Sequence, residues 1–141
     1  MRICVLYGGA SSGSANLKSL ADGMAKGLSS NGQHLVEVVD MNLEQGRRVS
    51  GFDYIVVIAQ PSGFFSKTIP SSVSDFLKSA GSISGKRCSC FISRNCLRKH
   101  KVLQSLMKTM ENEGMYLKLS DVLKNADMAC AVGKRLHVER N

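Results

Sequence analysis

The stretch that decides the fold is LYGGASSGSANLKSLADGMAKGL, residues 6–28. An apolar strand runs into the small residues 8–14, and a strongly patterned helix leaves them. Leu17, Leu20, Ala21, Met24, Ala25 and Leu28 recur at the i, i+3, i+4, i+7 spacing, which predicts an amphipathic helix with one buried face. A Gly/Ser-rich turn between a strand and a helix offers an anion backbone N–H groups, hydroxyls and the positive end of the helix. The same turn also reads as an ordinary cap, with Ser12 or Ser14 as the N-cap residue and the glycines reversing the chain. Taken alone, these residues leave both readings open.

Outward from this stretch the chain alternates. Residues 2–7 (RICVLY), 34–41 (HLVEVVDM), 52–60 (FDYIVVIAQ), 84–93 (SGKRCSCFIS) and 114–120 (GMYLKLS) read as five strands. Between them, Val73, Phe76, Leu77 and Ala80 mark the inner face of a short helix, and Val102, Leu103, Leu106, Met107 and Met110 that of a longer one. A last helix is expected near 126–138, with Ala126, Ala129, Cys130, Gly133 and Leu136 on one face. Residues 42–51 are too polar and too few for a full crossover helix, so an abbreviated connection or a loop is expected there.

Alternating strands and helices, with strands as continuous apolar runs, predict an α/β chain: a three-layer, doubly wound sandwich around a parallel sheet. Five strands joined by right-handed crossovers fit the order 2-1-3-4-5. Residues 1–141 are expected to form a single domain, since 141 residues suffice for one core and fall short of two.

Composition narrows the class. With 43% hydrophobic and 21% charged residues the chain has globular rather than disordered usage. The longest apolar run is far shorter than a membrane span, and a strand beginning at residue 2 leaves no room for a signal peptide, so a cytoplasmic location is expected. Five cysteines, an odd number, argue against a disulfide framework. Cys88 and Cys90 are spaced for a strand rather than for a metal-binding turn, which makes them buried thiols. The net charge of +8 favours phosphates or acidic partners. Nucleic acid is disfavoured as a partner, because no recognition motif is present and the aromatics are not interleaved with the basic residues.

In a sheet of this order a ligand lies beyond the carboxyl ends of the strands, at the switch between strands 1 and 3. Three loops meet there. The first, 8–16, carries Gly9, Ser11, Ser12, Gly13, Ser14 and Asn16. The second, 61–70, offers Pro61, Ser62, Gly63 and the aromatic pair Phe64 and Phe65, groups suited to a large flat ligand. The third, 93–97, contributes Ser93, Arg94 and Asn95, followed by Arg98, Lys99, His100 and Lys101 at the start of a helix. Cations there oppose the helix dipole, so the run is either a solvated face or the rim of an anion site. His34, His100 and His137 are dispersed and form no catalytic constellation.

These segments together resemble the flavodoxin-like flavoprotein superfamily over nearly the whole chain. A flavodoxin phosphate loop of the form Ser/Thr-x-Thr-Gly-x-Thr, set on Gly13, meets Ala10, Ser12 and Ala15, so one hydroxyl of three remains. The spacing is closer to the NADPH-dependent FMN reductases, with Gly9, Asn16 and the Gly27-Leu28 helix ending in register, while Ala10, Ser12 and Leu17 replace that family's Ser, basic residue and Thr. The resemblance implies FMN as cofactor, held by the residues of the three loops named above. It implies electron transfer or FMN-dependent NAD(P)H oxidoreduction, chemistry supplied by the flavin without a protein acid or base. NAD(P)H or an acidic redox partner would suit the positive charge, and self-association is expected by the same resemblance. The alternative is a flavodoxin-like fold that has lost tight flavin binding and acts as a binding or regulatory module.

Overall fold

The computed structural model describes residues 1–9, 15–61, 63, 65–93, 96–136 and 138. The elements are β1 (Arg2–Gly8), α1 (Ala15–Ser30), β2 (Leu35–Asp40), β3 (Tyr54–Ala59), α2 (Ser71–Lys78), β4 (Arg87–Ser93), α3 (Lys99–Asn112), β5 (Tyr116–Leu123) and α4 (Ala126–Arg135). All five strands are parallel, in the order β2-β1-β3-β4-β5. The expected doubly wound sandwich is therefore what the chain forms.

Burial follows position in the sheet. Central β3, YIVVIA, is buried at every residue, because helices cover both of its faces. On one face Cys4, Leu6, Ile55, Val57, Cys88, Cys90 and Ile92 pack with α2 and α3. On the other, Ile3, Val5, Tyr54, Val56, Ile58 and Phe91 pack with α1 and α4. Within that second layer Tyr54 and Ser89 join their hydroxyls at 3.0 Å, so two buried polar atoms satisfy each other across β3 and β4.

Several boundaries differ from the sequence reading: β1 runs one residue longer, β2 and β3 are trimmed at both ends, β4 starts only at Arg87, and β5 and the last helix shift as well. Gly114, at φ +84°, ends α3 and accepts from Gly85 N–H at 2.7 Å, so β5 begins only at Tyr116. It continues through Asp121 to the buried Val122 and Leu123, a continuation hidden by the polar Ser120 and Asp121. A bulge opposite Cys88 and Ser89 shifts β5 by one residue at Lys118. The last helix ends at Arg135 rather than 138. Residues 42–51 hold turns in place of a helix, as their polarity foretells.

α1 and α4 approach through glycine. A Cβ on Gly23 would lie 2.6 Å from the Ala126 carbonyl oxygen, and one on Gly133 would lie 2.7 Å from that of Met24. A Cβ on Gly27 would collide with the Cys130 carbonyl oxygen. The two helix backbones are thus in direct contact, and no rotamer change could make room for a methyl group.

Gly27→Ala is accordingly expected to destabilise the protein despite the roughly 1 kcal/mol gain in helix propensity. Overpacking against fixed backbone costs about 1–3 kcal/mol or more, and the expected net result is a Tm lower by several degrees in thermal unfolding. An unchanged or raised Tm would show that the helices separate freely.

Candidate functional site

The carboxyl ends of β1, β3 and β4 bring the three loops to one end of the sheet. Of the residues singled out from the sequence, Gly9, Asn16, Pro61, Gly63, Phe65 and Ser93 are described; Ser11, Ser12, Gly13, Ser14, Ser62, Phe64, Arg94 and Asn95 lie outside the described residues.

Gly9 follows β1 directly, and its peptide is gripped from two sides. Its N–H donates to Asn42 Oδ1 at 3.1 Å, and its carbonyl accepts from Asn42 Nδ2 at 2.8 Å and from Ser72 Oγ at 3.1 Å. The tightness of this corner requires glycine: a Cβ on Gly9 would sit 2.9 Å from Gln60 Cβ, and one on Gly8 would sit 2.8 Å from Asn42 Oδ1. Asn42 is itself set by a turn, its N–H donating to Asp40 Oδ1 at 2.9 Å. Gln45 Nε2 donates to the carbonyls of Met41 (2.8 Å) and Ser72 (2.9 Å), which ties the loop after β2 to the start of α2.

The loop after β3 is a compact turn. Gly63 N–H donates to Ser66 Oγ at 2.8 Å, Ser66 N–H donates to the Gly63 carbonyl at 3.2 Å, and Cys96 Sγ donates to the Ser66 carbonyl at 3.3 Å. The loops after β3 and β4 therefore brace each other. Phe65 stands on this turn with 73% of its surface exposed, while Pro61 and Ser93 are buried. Gln60 Oε1 is buried beneath the corner and has no hydrogen-bond partner among the described residues. A buried acceptor left unpaired costs free energy, which makes it a marker of a missing donor. Asn16 is exposed in the first turn of α1.

Charges of both signs stand at this end: Asp40 and Glu44 at the loop after β2 and Asp127 in the first turn of α4, beside the basic residues of α3. α3 starts with no acidic residue in its first turn, and Arg98 provides no side-chain cap. Lys67, Arg98, Lys101 and Lys124 are exposed around the loops. The ion pairs among the described residues, Lys18–Asp22 and Arg47 with Glu37 and Glu44, involve none of them.

Sequence reasoning missed Asn42, Ser72 and Gln60. The segment DMN after the second strand was the available signal, since β2 adjoins β1 and a polar side chain there must face the first loop.

Cysteine chemistry does not define the site. Burial pushes the Cys4 and Cys88 thiols up to about 12 and raises Cys90 as well, so all three stay protonated at neutral pH. No group of three or more potential metal-ligating side chains is found among the described residues. No helix among the described residues is long and apolar enough to cross a membrane.

Comparison with solved structures identifies the fold as flavodoxin-like. A flavodoxin from the domain Archaea superposes with a TM-score of 0.71 at 20% identity, covering 96% of this chain and 93% of that one. Oxidised flavodoxin 1 from Bacillus cereus gives 0.71 at 17% identity, over 94% and 95% of the two chains. Two-electron reduced Megasphaera elsdenii flavodoxin gives 0.72 at 16% identity, over 95% and 99%. No protein-family model matches the sequence, and no curated protein matches it.

Asn42→Ala strips the Gly9 N–H of its partner and should destabilise the protein by about 1–3 kcal/mol in urea unfolding, whereas loss of less than a few tenths would show that water replaces the amide. Stability should also fall at high pH. Because the buried thiols are raised, the unfolded state ionises first as pH climbs past 9, so stability should decline between pH 9 and 12 by up to about 1.4 kcal/mol per pH unit for each thiol. A urea midpoint that stays level across that range would contradict this.

Proposed function

We propose that the chain is a small FMN-binding redox protein that uses the end of the sheet where the loops after β1, β3 and β4 meet. The observation that carries the reading is the combination of a buried, unpartnered Gln60 Oε1 under a glycine corner with an exposed aromatic, Phe65, on the neighbouring turn. These groups fit a flavin nucleotide. Phe65 offers a flat apolar face to the ring system, and Gln60 Oε1 an acceptor for a hydroxyl of the sugar-alcohol chain. Gly9, Ser11, Ser12, Gly13, Ser14 and Asn16 would hold the phosphate, with Pro61, Ser62, Gly63, Phe64, Ser93, Arg94 and Asn95 around the ring. The bound flavin would supply the redox chemistry, accepting hydride from NAD(P)H or passing single electrons. The protein's part is to orient it, exclude water and set its surroundings.

The net charge of +8 and the exposed cations Lys67, Arg98, Lys101 and Lys124 favour a negatively charged partner: an acidic redox protein or the phosphates of NAD(P)H. Association should therefore weaken as salt is raised.

A second reading has its own observation. The Gly9 N–H is already spent on Asn42, and Ala10, Ala15 and Leu17 are not hydrogen-bonding side chains. A loop with so few donors suits a fold that has given up tight flavin binding for a binding or regulatory role.

Fluorescence titration separates the two. FMN is expected to be quenched with Kd near 1 μM or tighter, about −8 kcal/mol, and riboflavin to bind at least about tenfold weaker for want of the phosphate. Unchanged flavin emission at about 100 μM protein, roughly a hundredfold above that Kd, would reject the flavoprotein reading in favour of the second. Given binding, oxidation of NAD(P)H by the FMN-loaded protein distinguishes a reductase from an electron carrier.

A further inference from the structure

A cleft lined by described residues lies away from the loops. It measures about 660 Å³ and opens between β5 and the C-terminal half of α4, toward the amino-terminal end of the sheet. Its origin lies in the glycine contact between α1 and α4. That contact draws α4 toward α1, and the strip of sheet between α4 and the β5 edge is left without a covering helix. A parallel sheet ordinarily has both faces covered, so an open strip is unusual.

The residues left on that strip are not those of an ordinary solvated edge. By strand register Tyr116 and Leu119 lie on the same face as Arg87 and the inward Ser89, yet they are 63% and 40% exposed. Val132 of α4 and Leu136, the residue after it, form the facing apolar wall. Among the described residues, its lining includes the cations Arg87, Lys118 and Arg135 and the carboxylate Asp121. Arg135 donates through Nε to the Ala131 carbonyl at 3.2 Å, which anchors its stem and leaves its Nη atoms for another partner.

We infer that this cleft binds a nucleoside monophosphate. Each component of such a ligand has a counterpart: a flat base against Leu119, Val132 and Leu136, a phosphate dianion between the cations, and ribose or base donors for the Asp121 carboxylate. The volume lies within the range of small-molecule sites, about 300–1,000 Å³. Arginine is suited to phosphate through paired N–H donors, and lysine supplies a point charge. A simple fatty anion would leave Asp121 unused and repelled. An acidic peptide would require a groove running along the β5 edge, whereas the cleft is closed on one side by α4. The site is independent of flavin binding at the other end of the sheet.

The test is amide-resolved NMR titration of the full chain with AMP, adenosine and inorganic phosphate as separate probes. AMP is expected to shift amides in 116–121 and 132–136, with adenosine and phosphate each at least tenfold weaker. Lys118 and Arg135 are exposed, so the double charge reversal Lys118→Glu/Arg135→Glu should keep the native spectrum elsewhere and weaken AMP at least tenfold. Leu119→Asp should weaken AMP and adenosine alike. The proposal is overturned if AMP leaves those amides unmoved at millimolar concentration, if phosphate alone binds as well as AMP, if AMP shifts only residues 9 and 60–66, or if the charge-reversed variant binds undiminished.

Discussion

The contact on which the rest depends is the backbone-to-backbone seam between α1 and α4. Gly23 and Gly27 on one helix and Gly133 on the other remove the side chains that would hold the helices apart. Close approach of two helices gains dispersion along the whole seam, and its cost is the backbone entropy of three glycines in helical conformation. The seam has effects at both ends of the sheet. It fixes α1, and hence the direction from which a helix N-terminus meets the first loop. It also fixes α4 away from β5, which turns part of a sheet face that should be core into a lined cleft.

At the other end the corresponding constraint is the peptide of Gly9. A loop that cradles an anion needs rigid backbone, and here rigidity comes from Asn42 and Ser72, one on the loop after β2 and one on α2. The shortened connection between β2 and β3 thereby acquires a structural role, because without a crossover helix in the way its first residues reach the corner of the sheet. The clamp consumes the first N–H of the loop. Rigidity and donor supply are thus in opposition at this position, and a phosphate would depend on groups farther along the loop.

Much of this was legible in the sequence, and the reasons are specific. Continuous apolar runs such as 54–59 can belong only to a strand buried on both faces, so their alternation with periodic helices dictates a parallel sheet and its order. The loops of the candidate site follow from that order alone. What could not be read were the long-range pairings. Nothing local to Asn42 says that it will meet Gly9, which lies 33 residues away, and nothing local to Gln60 says that its amide oxygen will be shut away from water. The glycines of the seam were visible in part, but as a helix-ending signal and a face residue. That they oppose each other is a fact of tertiary packing. The cleft beside β5 was invisible for the same reason, because periodicity shows which face of a helix is apolar and not how far the helix leans.

Charge is distributed to the same two ends of the sheet. An excess of eight positive charges adds self-repulsion and attracts anions to the surface. Two places on this molecule gather it beside exposed apolar surface: the rim near Phe65 at the carboxyl ends of the strands, and the cleft near Leu119 at the opposite end. Solvated lysines elsewhere need no explanation, but cations at the positive end of α3 and around an uncovered strip of sheet are placed against the local electrostatics or against ordinary burial. A negative, partly apolar ligand such as the nucleotides proposed above would relieve the local charge at both positions. A basic flavodoxin-like fold is therefore better matched to phosphorylated aromatic ligands than to basic protein partners, from which a surface of this sign would be repelled.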